Sequence, residues 1–501
     1  MTTIGHWIDG KPYSPAAEKT SPVYDPARGE VVAQLAHATP GEVDEAVGAA
    51  SRAFEDWSQV SLAKRSSILF GFRELLVAHT DELARIVSRE HGKVISDAKG
   101  EIGRGLEVVE FASGIPQLLK GEYSPQAATG IDVYSFRQPL GVAVGITPFN
   151  FPAMVPLWMA PLAIACGNTF VLKPSERDPS ASLFLAQLWA DAGLPDGVFN
   201  VVQGDKVAVD ALLTHDDVAA VSFVGSTPIA RYIHATATEH GKRVQALGGA
   251  KNHAVVLGDA DLDNAAENLT AAAFGAAGER CMAISVAVVE DSVADALVER
   301  LATKARAVRV RPGSDPDADM GPVITPAAKE RIERLIGSAE DDGATLVVDG
   351  RGHVVDGHED GFFVGPTVID HVQPEHEAYR EEIFGPVIDV VRVTGLEEAV
   401  DVINTNPYGN GTAIFTSSGE AARTFQRDVT VGMIGINVPI PVPVAYHSFG
   451  GWKDSLFGSS HIYGPEGVAF YTQAKVVTQR WPRTRELADR ASFHFSGDST
   501  K

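Results

Sequence analysis

The amino-acid sequence predicts an α/β protein, with two doubly wound α/β domains and a small β element outside them. Three observations predict it. A helical stretch fills residues 41–112, a first series of short β-branched runs alternates with helical segments up to residue 248, and a second such series follows Lys251. In the opening stretch, segments 42–57, 63–79, 81–91 and 95–112 carry apolar residues at helical spacing, the pattern that buries one face of each helix. The runs at 141–146, 169–173, 198–202, 219–224 and 243–247 are separated by gaps long enough for crossover helices. Being largely apolar rather than strictly alternating, they suit parallel strands covered on both faces. The second series comprises 253–257, 284–289, 344–348, 388–393, 412–416 and 433–437. Segments 130–138 and 470–480 look strand-like but belong to neither series, and each suits an edge strand that pairs with another subunit. No tandem repeat or low-complexity tract interrupts this order, and the polar end 496–501 reads as frayed.

Composition narrows the function classes. Hydrophobic residues make up 45% of the chain and charged residues 21%, the balance of a soluble globular protein with ample core. The net charge of −23 argues against a nucleic-acid surface, although local arginines can still attract an anionic substrate. Two cysteines make no disulfide framework, which points to a reducing compartment. The first ten residues lack a basic region followed by an apolar core, so no signal peptide is expected and the reading is cytoplasmic. The most apolar stretch, 151–171, contains Pro152, Pro156, Pro161 and Gly167. A membrane helix tolerates such punctuation poorly, so no membrane partner is expected. His215, His234, His240 and His253 show no metal-ligand spacing and are read as structural, with no metal required.

Function turns on Cys281, in the run Gly275-Ala276-Ala277-Gly278-Glu279-Arg280-Cys281-Met282. The other cysteine, Cys166, lies in the apolar run 161–167, where a thiol is a small hydrophobe. A lone cysteine is more often core filler than nucleophile, so distant partners must decide. In a doubly wound sheet, ligands sit beyond the carboxyl ends of the strands. Three such ends carry suitable residues: Thr147-Pro148-Phe149-Asn150, Lys173-Pro174-Ser175-Glu176 and Gly225-Ser226-Thr227. A lysine and a glutamate three apart suit ribose hydroxyls, and the carboxylate repels a 2′-phosphate, which favours NAD over NADP. The Gly-Ser-Thr turn opens a helix predicted over 228–240, whose free N–H groups suit pyrophosphate. A turn or a helix cap explains each pattern singly; their shared placement at strand ends carries the cofactor reading. Gly-x-Gly-x-x-Gly is missing from its usual place, so the dinucleotide mode is atypical.

With these residues on the page, the chain resembles the aldehyde dehydrogenase superfamily over roughly residues 5 to 482. Phe149-Asn150-Phe151-Pro152, Lys173-Pro174-Ser175-Glu176, Phe223-Val224-Gly225-Ser226, Gly278-Glu279-Arg280-Cys281 and Glu381-Glu382-Ile383-Phe384-Gly385-Pro386 occur in that family's order and spacing. The stretches 152–159, Gly249-Ala250-Lys251-Asn252-His253 and 436–443 resemble its CoA-acylating methylmalonate-semialdehyde and malonate-semialdehyde branch. The resemblance implies that Cys281 attacks the aldehyde carbon as thiolate, with the Asn150 amide and the Cys281 N–H as oxyanion donors. It implies that Lys173 and Glu176 hold the adenosine ribose and Glu382 the nicotinamide ribose, with Thr147, Phe149, Arg177 and Ser226 lining the rest of the cleft. It also implies an NAD-binding domain over 1–119 and 138–248 and a catalytic domain over 249–447. A β oligomerisation element over 120–137 and 466–485, and a tail over 486–501, complete the expected division. A homo-oligomer, a dimer or tetramer, follows by analogy.

Departures from the family pattern sharpen the expectation. Hydrolytic members carry Glu-Leu-Gly-Gly-Lys, whose glutamate activates water; the residue four before Lys251 is here Leu247, and 243–250 contains no carboxylate. An apolar side chain neither deprotonates nor orders water, so the thioester awaits a better nucleophile, and the CoA thiol fits as cosubstrate. The acylating branch usually carries Asn at this position, so Leu247 departs from that pattern too. Arg280 adjoins the nucleophile where hydrolytic relatives usually have an uncharged residue, and a guanidinium there suits a short aldehyde bearing a carboxylate. Arg104 matches the branch's second carboxylate-binding arginine; alone it reads as a solvated helix residue. The resemblance implies decarboxylation before CoA attack, giving propionyl-CoA from methylmalonate semialdehyde and acetyl-CoA from malonate semialdehyde, chemistry that suits valine and inositol catabolism alike. The alternatives are a hydrolytic semialdehyde dehydrogenase acting on a longer acid and a catalytically silent structural member of the family. Leu247 weighs against the first; Cys281, Asn150 and Glu382 weigh against the second.

Overall fold

The computed structural model describes residues 2–15 and 19–481. Its helical opening is α1 (Pro40–Trp57), α2 (Leu62–Ala78), α3 (Thr80–His91) and α4 (Ile95–Ser113). Thr39 and Glu42 form a reciprocal capping box at the start of α1, satisfying two N–H groups that helix geometry leaves orphaned. α3 ends at Gly92, whose φ of +95° is left-handed and places the following residues, including Lys93, toward the interior.

The first sheet has eight strands, in the order 456–457, 243–247, 218–224, 142–146, 169–173, 199–201, 6–8 and 11–13. Its five central strands are parallel, and antiparallel strands close both edges. The helix Met154–Cys166 accounts for the most apolar stretch of the chain, for every one of its residues is buried. Helix α4 lies against it at Gly105, where a Cβ would stand 2.5 Å from Leu157 Cδ1. The second sheet has seven strands, in the order 345–348, 367–370, 387–393, 284–290, 252–256, 411–415 and 433–436. All its pairs are parallel except that of the 345–348 edge. Among the described residues, no helix is long and apolar enough to cross a membrane.

The segments set apart in the sequence are strands, and within the chain they share one sheet. Ile131–Pro139 and Thr472–Gln479 pair antiparallel with each other, and Glu122–Ala128 completes a three-stranded sheet within the chain. Residue 470 ends the helix Gly464–Phe470, so the strand begins two residues later than expected. The N-terminal strands had no forecast at all. Thr2–Ile4, Thr20–Asp25 and Glu30–Ala36 form a separate sheet, and two three-residue strands extend the first one. Three residues are too few to show a period. Residues 482–501, which include the expected tail 486–501, lie outside the described residues.

Candidate active site

Backbone order brings two sheet edges together. Thr147, Asn150, Ser175, Glu176 and Ser226 follow the carboxyl ends of strands in the first sheet, whereas Cys281, Glu382 and Asn410 precede strands of the second. The contacts between the edges are direct. The Gly249 N–H donates to Thr227 Oγ1 at 2.8 Å, and the Ala250 N–H donates to Glu382 Oε1 at 3.0 Å. A Cβ at Gly249 would come within 2.5 Å of Glu382 Oε2 and push that carboxylate aside.

Cys281 sits on a strained approach. Ala276 and Ala277 adopt left-handed φ values of 50° and 53°, and Gly278 follows at 72°. Non-glycine residues rarely occupy that region and do so where surrounding structure enforces it. Here the enforcement is visible: a Cβ on Gly278 would lie 1.9 Å from the Gly385 carbonyl oxygen. The two motifs around Cys281 and Glu382 are therefore pressed together at their glycines. The Cys281 carbonyl accepts from Asn252 Nδ2 at 2.9 Å and from Asn410 Nδ2 at 3.1 Å. Lys251, fully buried, ties Asp389 at 3.1 Å and donates to the carbonyls of Ala378 and Glu381, fixing the segment that leads into Glu382.

One cavity is lined by Arg280, Cys281 and Glu382 together with Asn252, Gly278 and Phe384. In it the half-buried Cys281 thiol is pushed up to about 12 by burial and by the Glu382 carboxylate, against the Cys281 and Met282 N–H groups and Arg280. Burial likewise pushes Glu382 up to about 7, against the Ala250 N–H, Lys251 and Arg331. The resting thiol is protonated at neutral pH, and removing a negative neighbour lowers its pKa. Glu382→Gln is accordingly expected to alkylate severalfold faster with iodoacetamide at pH 8 in the cofactor-free enzyme, because the thiolate is the reacting species. An unchanged rate, measured by loss of free thiol, would show that the carboxylate does not act on Sγ. Cys166 is fully buried and pushed up to about 12 by burial, as suits packing rather than chemistry.

The other expected residues fall as follows. Asn150 is 3% exposed, and among the described residues nothing hydrogen-bonds its carboxamide. Lys173 Nζ lies 3.2 Å from Glu176 Oε2 at the end of their strand. Burial alone would raise Glu176, but Lys173 and Arg177 help hold it below the usual range. Thr147 Oγ1 is buried with no partner among the described residues. The Arg177 guanidinium stacks over the Phe149 ring at 4.7 Å. Ser226 begins the helix Thr227–Glu239 without capping it through its side chain, leaving first-turn N–H groups open. An unspent hydroxyl, a Lys–Glu pair, an uncapped helix start and a buried carboxylate fit a dinucleotide along this edge.

These observations frame the comparisons with known proteins. A family model described as the aldehyde dehydrogenase family matches residues 13–477. The chain belongs to the aldehyde dehydrogenase family. It is 56% identical to a malonate-semialdehyde dehydrogenase of Pseudomonas aeruginosa, over 99% of both chains. It is 49% identical to malonate-semialdehyde dehydrogenase 2 of Bacillus thuringiensis (strain Al Hakam), over 96% of this chain and 98% of that one. The crystal structure of a methylmalonate-semialdehyde dehydrogenase from Oceanimonas doudoroffii superposes with a TM-score of 0.95 at 58% identity, covering 97% of this chain and 99% of the other. A Sinorhizobium meliloti structure named for the same activity and complexed with NAD gives 0.96 at 51%, with the same coverage.

Within this aldehyde dehydrogenase, the structure separates the two arginines singled out in the sequence. Arg280 lines the Cys281 cavity, with Nη2 on Asp97 Oδ1 at 2.8 Å; Asp97 also accepts from the Ala276 N–H at 3.0 Å. Arg104 lies outside that lining, its Nη1 on Glu107 at 2.7 Å and its Nη2 donating to the carbonyls of Val442 and Pro443. Leu247 is 2% exposed at the end of its strand, packed in the same apolar cluster as Cys281 and Leu456. The expected structural histidine His253 is buried against Tyr379 Oη at 2.9 Å, and burial with nearby Lys251 lowers it to about 3.

Sequence reasoning gave no role to several buried polar residues near these motifs. Glu279 is fully buried and pushed by burial up to about 8, against the Ile324 N–H, Arg177 and Lys93. His91 Nε2 stands 3.7 Å from it, and burial with Lys93 lowers the imidazole well below its usual range. Tyr463 donates to the Pro443 carbonyl at 2.9 Å and packs on Trp158 and Phe449. None of these residues repeats at a spacing that marks a site. The signal available was a charged residue inside an otherwise apolar run.

Proposed function

We infer that this chain is an NAD-dependent, CoA-acylating semialdehyde dehydrogenase. It converts malonate semialdehyde, methylmalonate semialdehyde or both, with CoA, to acetyl-CoA or propionyl-CoA, CO₂ and NADH. The observation that carries the CoA step is Leu247, a buried apolar side chain four residues before Lys251, where hydrolytic members carry their glutamate. Malonate-semialdehyde and methylmalonate-semialdehyde dehydrogenases among the relatives support the same substrate class.

Cys281 gives its thiol proton to solvent water and attacks the aldehyde carbon through Sγ as the thiolate. The Asn150 carboxamide and the Cys281 N–H stabilise the oxyanion; losing one such donor typically costs about 10²–10³ in rate. Bound NAD supplies the acceptor for the hydride that leaves this carbon, so that a thioester remains on Cys281. Lys173 and Glu176 hold its adenosine ribose and Glu382 its nicotinamide ribose, while Thr147, Phe149, Arg177 and Ser226 line the cleft. Arg280, tethered on one edge by Asp97, offers its remaining N–H groups to the substrate carboxylate; Arg104, outside the cavity lining and paired with Glu107, serves the same anion only by exchanging Glu107 for it. The malonyl-type thioester loses CO₂ to an enolate, which takes a proton from solvent to give the acetyl or propionyl thioester; CoA thiolate then attacks that carbonyl and Cys281 leaves as thiolate. The first sheet and its helices form the NAD-binding domain (1–119 and 138–248), and the second forms the catalytic domain (249–447). The three-stranded sheet, with the exposed edge Glu122–Ala128, serves oligomerisation, and the protein works in the cytoplasm.

The deciding experiment follows NADH from each semialdehyde with and without CoA. Without CoA, formation is expected to stop after about one equivalent per Cys281, since the thioester has no competent acceptor. Sustained turnover to free acid in water alone would overturn the CoA-acylating reading in favour of a hydrolytic enzyme.

A further inference from the structure

Helix α4 places Asp97, Glu101 and Arg104 at i, i+4 and i+7, on one face. Each reaches a different segment: Asp97 holds Arg280 and the Ala276 N–H, Glu101 meets the segment after Asn150, and Arg104 holds the carbonyls of Val442 and Pro443. Only Glu101 is fully buried, and its partner is a lysine with no exposed side-chain surface. Lys93 Nζ donates to Glu101 Oε2 at 2.7 Å and to the Asn150 carbonyl at 2.5 Å, and it lies 4.5 Å over the Phe151 ring. Glu101 Oε1 accepts from the Ala153 and Met154 N–H groups at 2.9 and 3.1 Å.

We propose that Lys93 and Glu101 are a positioning pair that fixes the Asn150 carboxamide for the oxyanion, a role that rests on Asn150 being the oxyanion donor. The helix Met154–Cys166 begins at Ala153 with no side-chain cap of its own. Glu101, from another helix, supplies that cap, and its carboxylate sits at the positive end of the helix. Lys93 grips the chain on the other side, at the carbonyl of residue 150. The turn between them is thus held at three backbone groups, one carbonyl and two N–H, by two side chains that are themselves paired. An apolar pair of similar volume would fill the same space and often serves stability as well as a buried ion pair does. What it does not do is set the orientation of those peptides, and a carboxamide without a hydrogen bond among the described residues takes its aim from the backbone that carries it. Misplacement of a reacting group by about 1 Å is enough to cost on the order of 10²-fold in rate.

The test is a double-mutant cycle on the first-turnover NADH burst, with the replacement Lys93→Met/Glu101→Leu made in wild type and in Asn150→Ala. In wild type it is expected to slow the burst by roughly 30-fold or more. The aldehyde KM should stay within about threefold, and iodoacetamide should alkylate Cys281 at the wild-type rate, since alkylation needs no oxyanion donor. In Asn150→Ala the same replacement should change the burst by less than about threefold, because the group it aims is gone. A wild-type burst in the Lys93→Met/Glu101→Leu enzyme overturns the proposal. So does an equal loss in both backgrounds, which would mark the pair as acting elsewhere. A full burst in Asn150→Ala alone would instead overturn the reading of Asn150. Should the paired replacement not fold, Glu101→Gln, which keeps an acceptor for the helix start but unbalances Lys93, carries the same cycle.

Discussion

Cys281→Ala is expected to form no NADH above background from either semialdehyde, a loss of about 10⁴-fold or more in turnover. The effect is the largest available because no other thiol can replace it. Cys166 is the only other cysteine; it is fully buried in the helix Met154–Cys166 and held as a neutral thiol by burial. The variant should keep its fold, since Cys281 is only half-buried and its backbone is fixed through the carbonyl that Asn252 and Asn410 hold, not through Sγ. NAD affinity, followed by quenching of tryptophan fluorescence, should therefore stay within about threefold of wild type. Intact-protein mass after incubation with substrate and NAD, without CoA, provides the second readout. Wild type should carry one acyl group and Cys281→Ala none. Acylation that survives the substitution would remove the thioester from the mechanism.

Arg280→Leu should separate substrates. It is expected to lower kcat/KM for malonate semialdehyde by on the order of 10²-fold, and for propanal, which lacks the carboxylate, by no more than a few-fold. Truncating one partner of a buried, hydrogen-bonded charge pair typically costs 2–5 kcal/mol, about 30-fold or more in affinity. The geometry limits this effect, because Arg280 already spends one edge on Asp97 at 2.8 Å. On the proposed function, the substrate carboxylate meets a guanidinium whose orientation Asp97 sets. Equal losses for the two aldehydes would show that Arg280 supports the Cys281 loop through Asp97 and the Ala276 N–H without binding the carboxylate.

Much of the fold was legible because its signals are local. The helices expected at 42–57 and 95–112 appear as Pro40–Trp57 and Ile95–Ser113, and the run 169–173 is a strand with the same bounds. Apolar period and β-branched runs are written within one element, so they survive the loss of all other information. The small sheet was placed by its segments, 120–137 and 466–485, but its strand order was not read. Residues 131–139 and 472–479 carry strand character, but which strand pairs with which is a choice among distant segments, and these two choose each other. For the same reason the hairpin strands His6–Ile8 and Lys11–Tyr13 were invisible: their stability comes from the sheet they extend, through Val201 and Trp7.

The candidate site divides the same way. Sequence alone determined the residue types: one cysteine between glycines and an arginine, a Lys–Glu pair after a strand, a glutamate before Phe-Gly-Pro, and a leucine in place of a base. Those choices settle which chemistry is available, because a side chain's pKa range, polarity and reach are properties of the residue itself. Tertiary structure decided what each group is paired with. Lys93 meets Asn150 across 57 residues, Arg280 meets Asp97 across 183, and Asn410 holds the Cys281 carbonyl across 129. No local pattern encodes such pairings. They arise because buried charges and polar groups must find partners in the space that folding leaves, and only the packed chain fixes which are near.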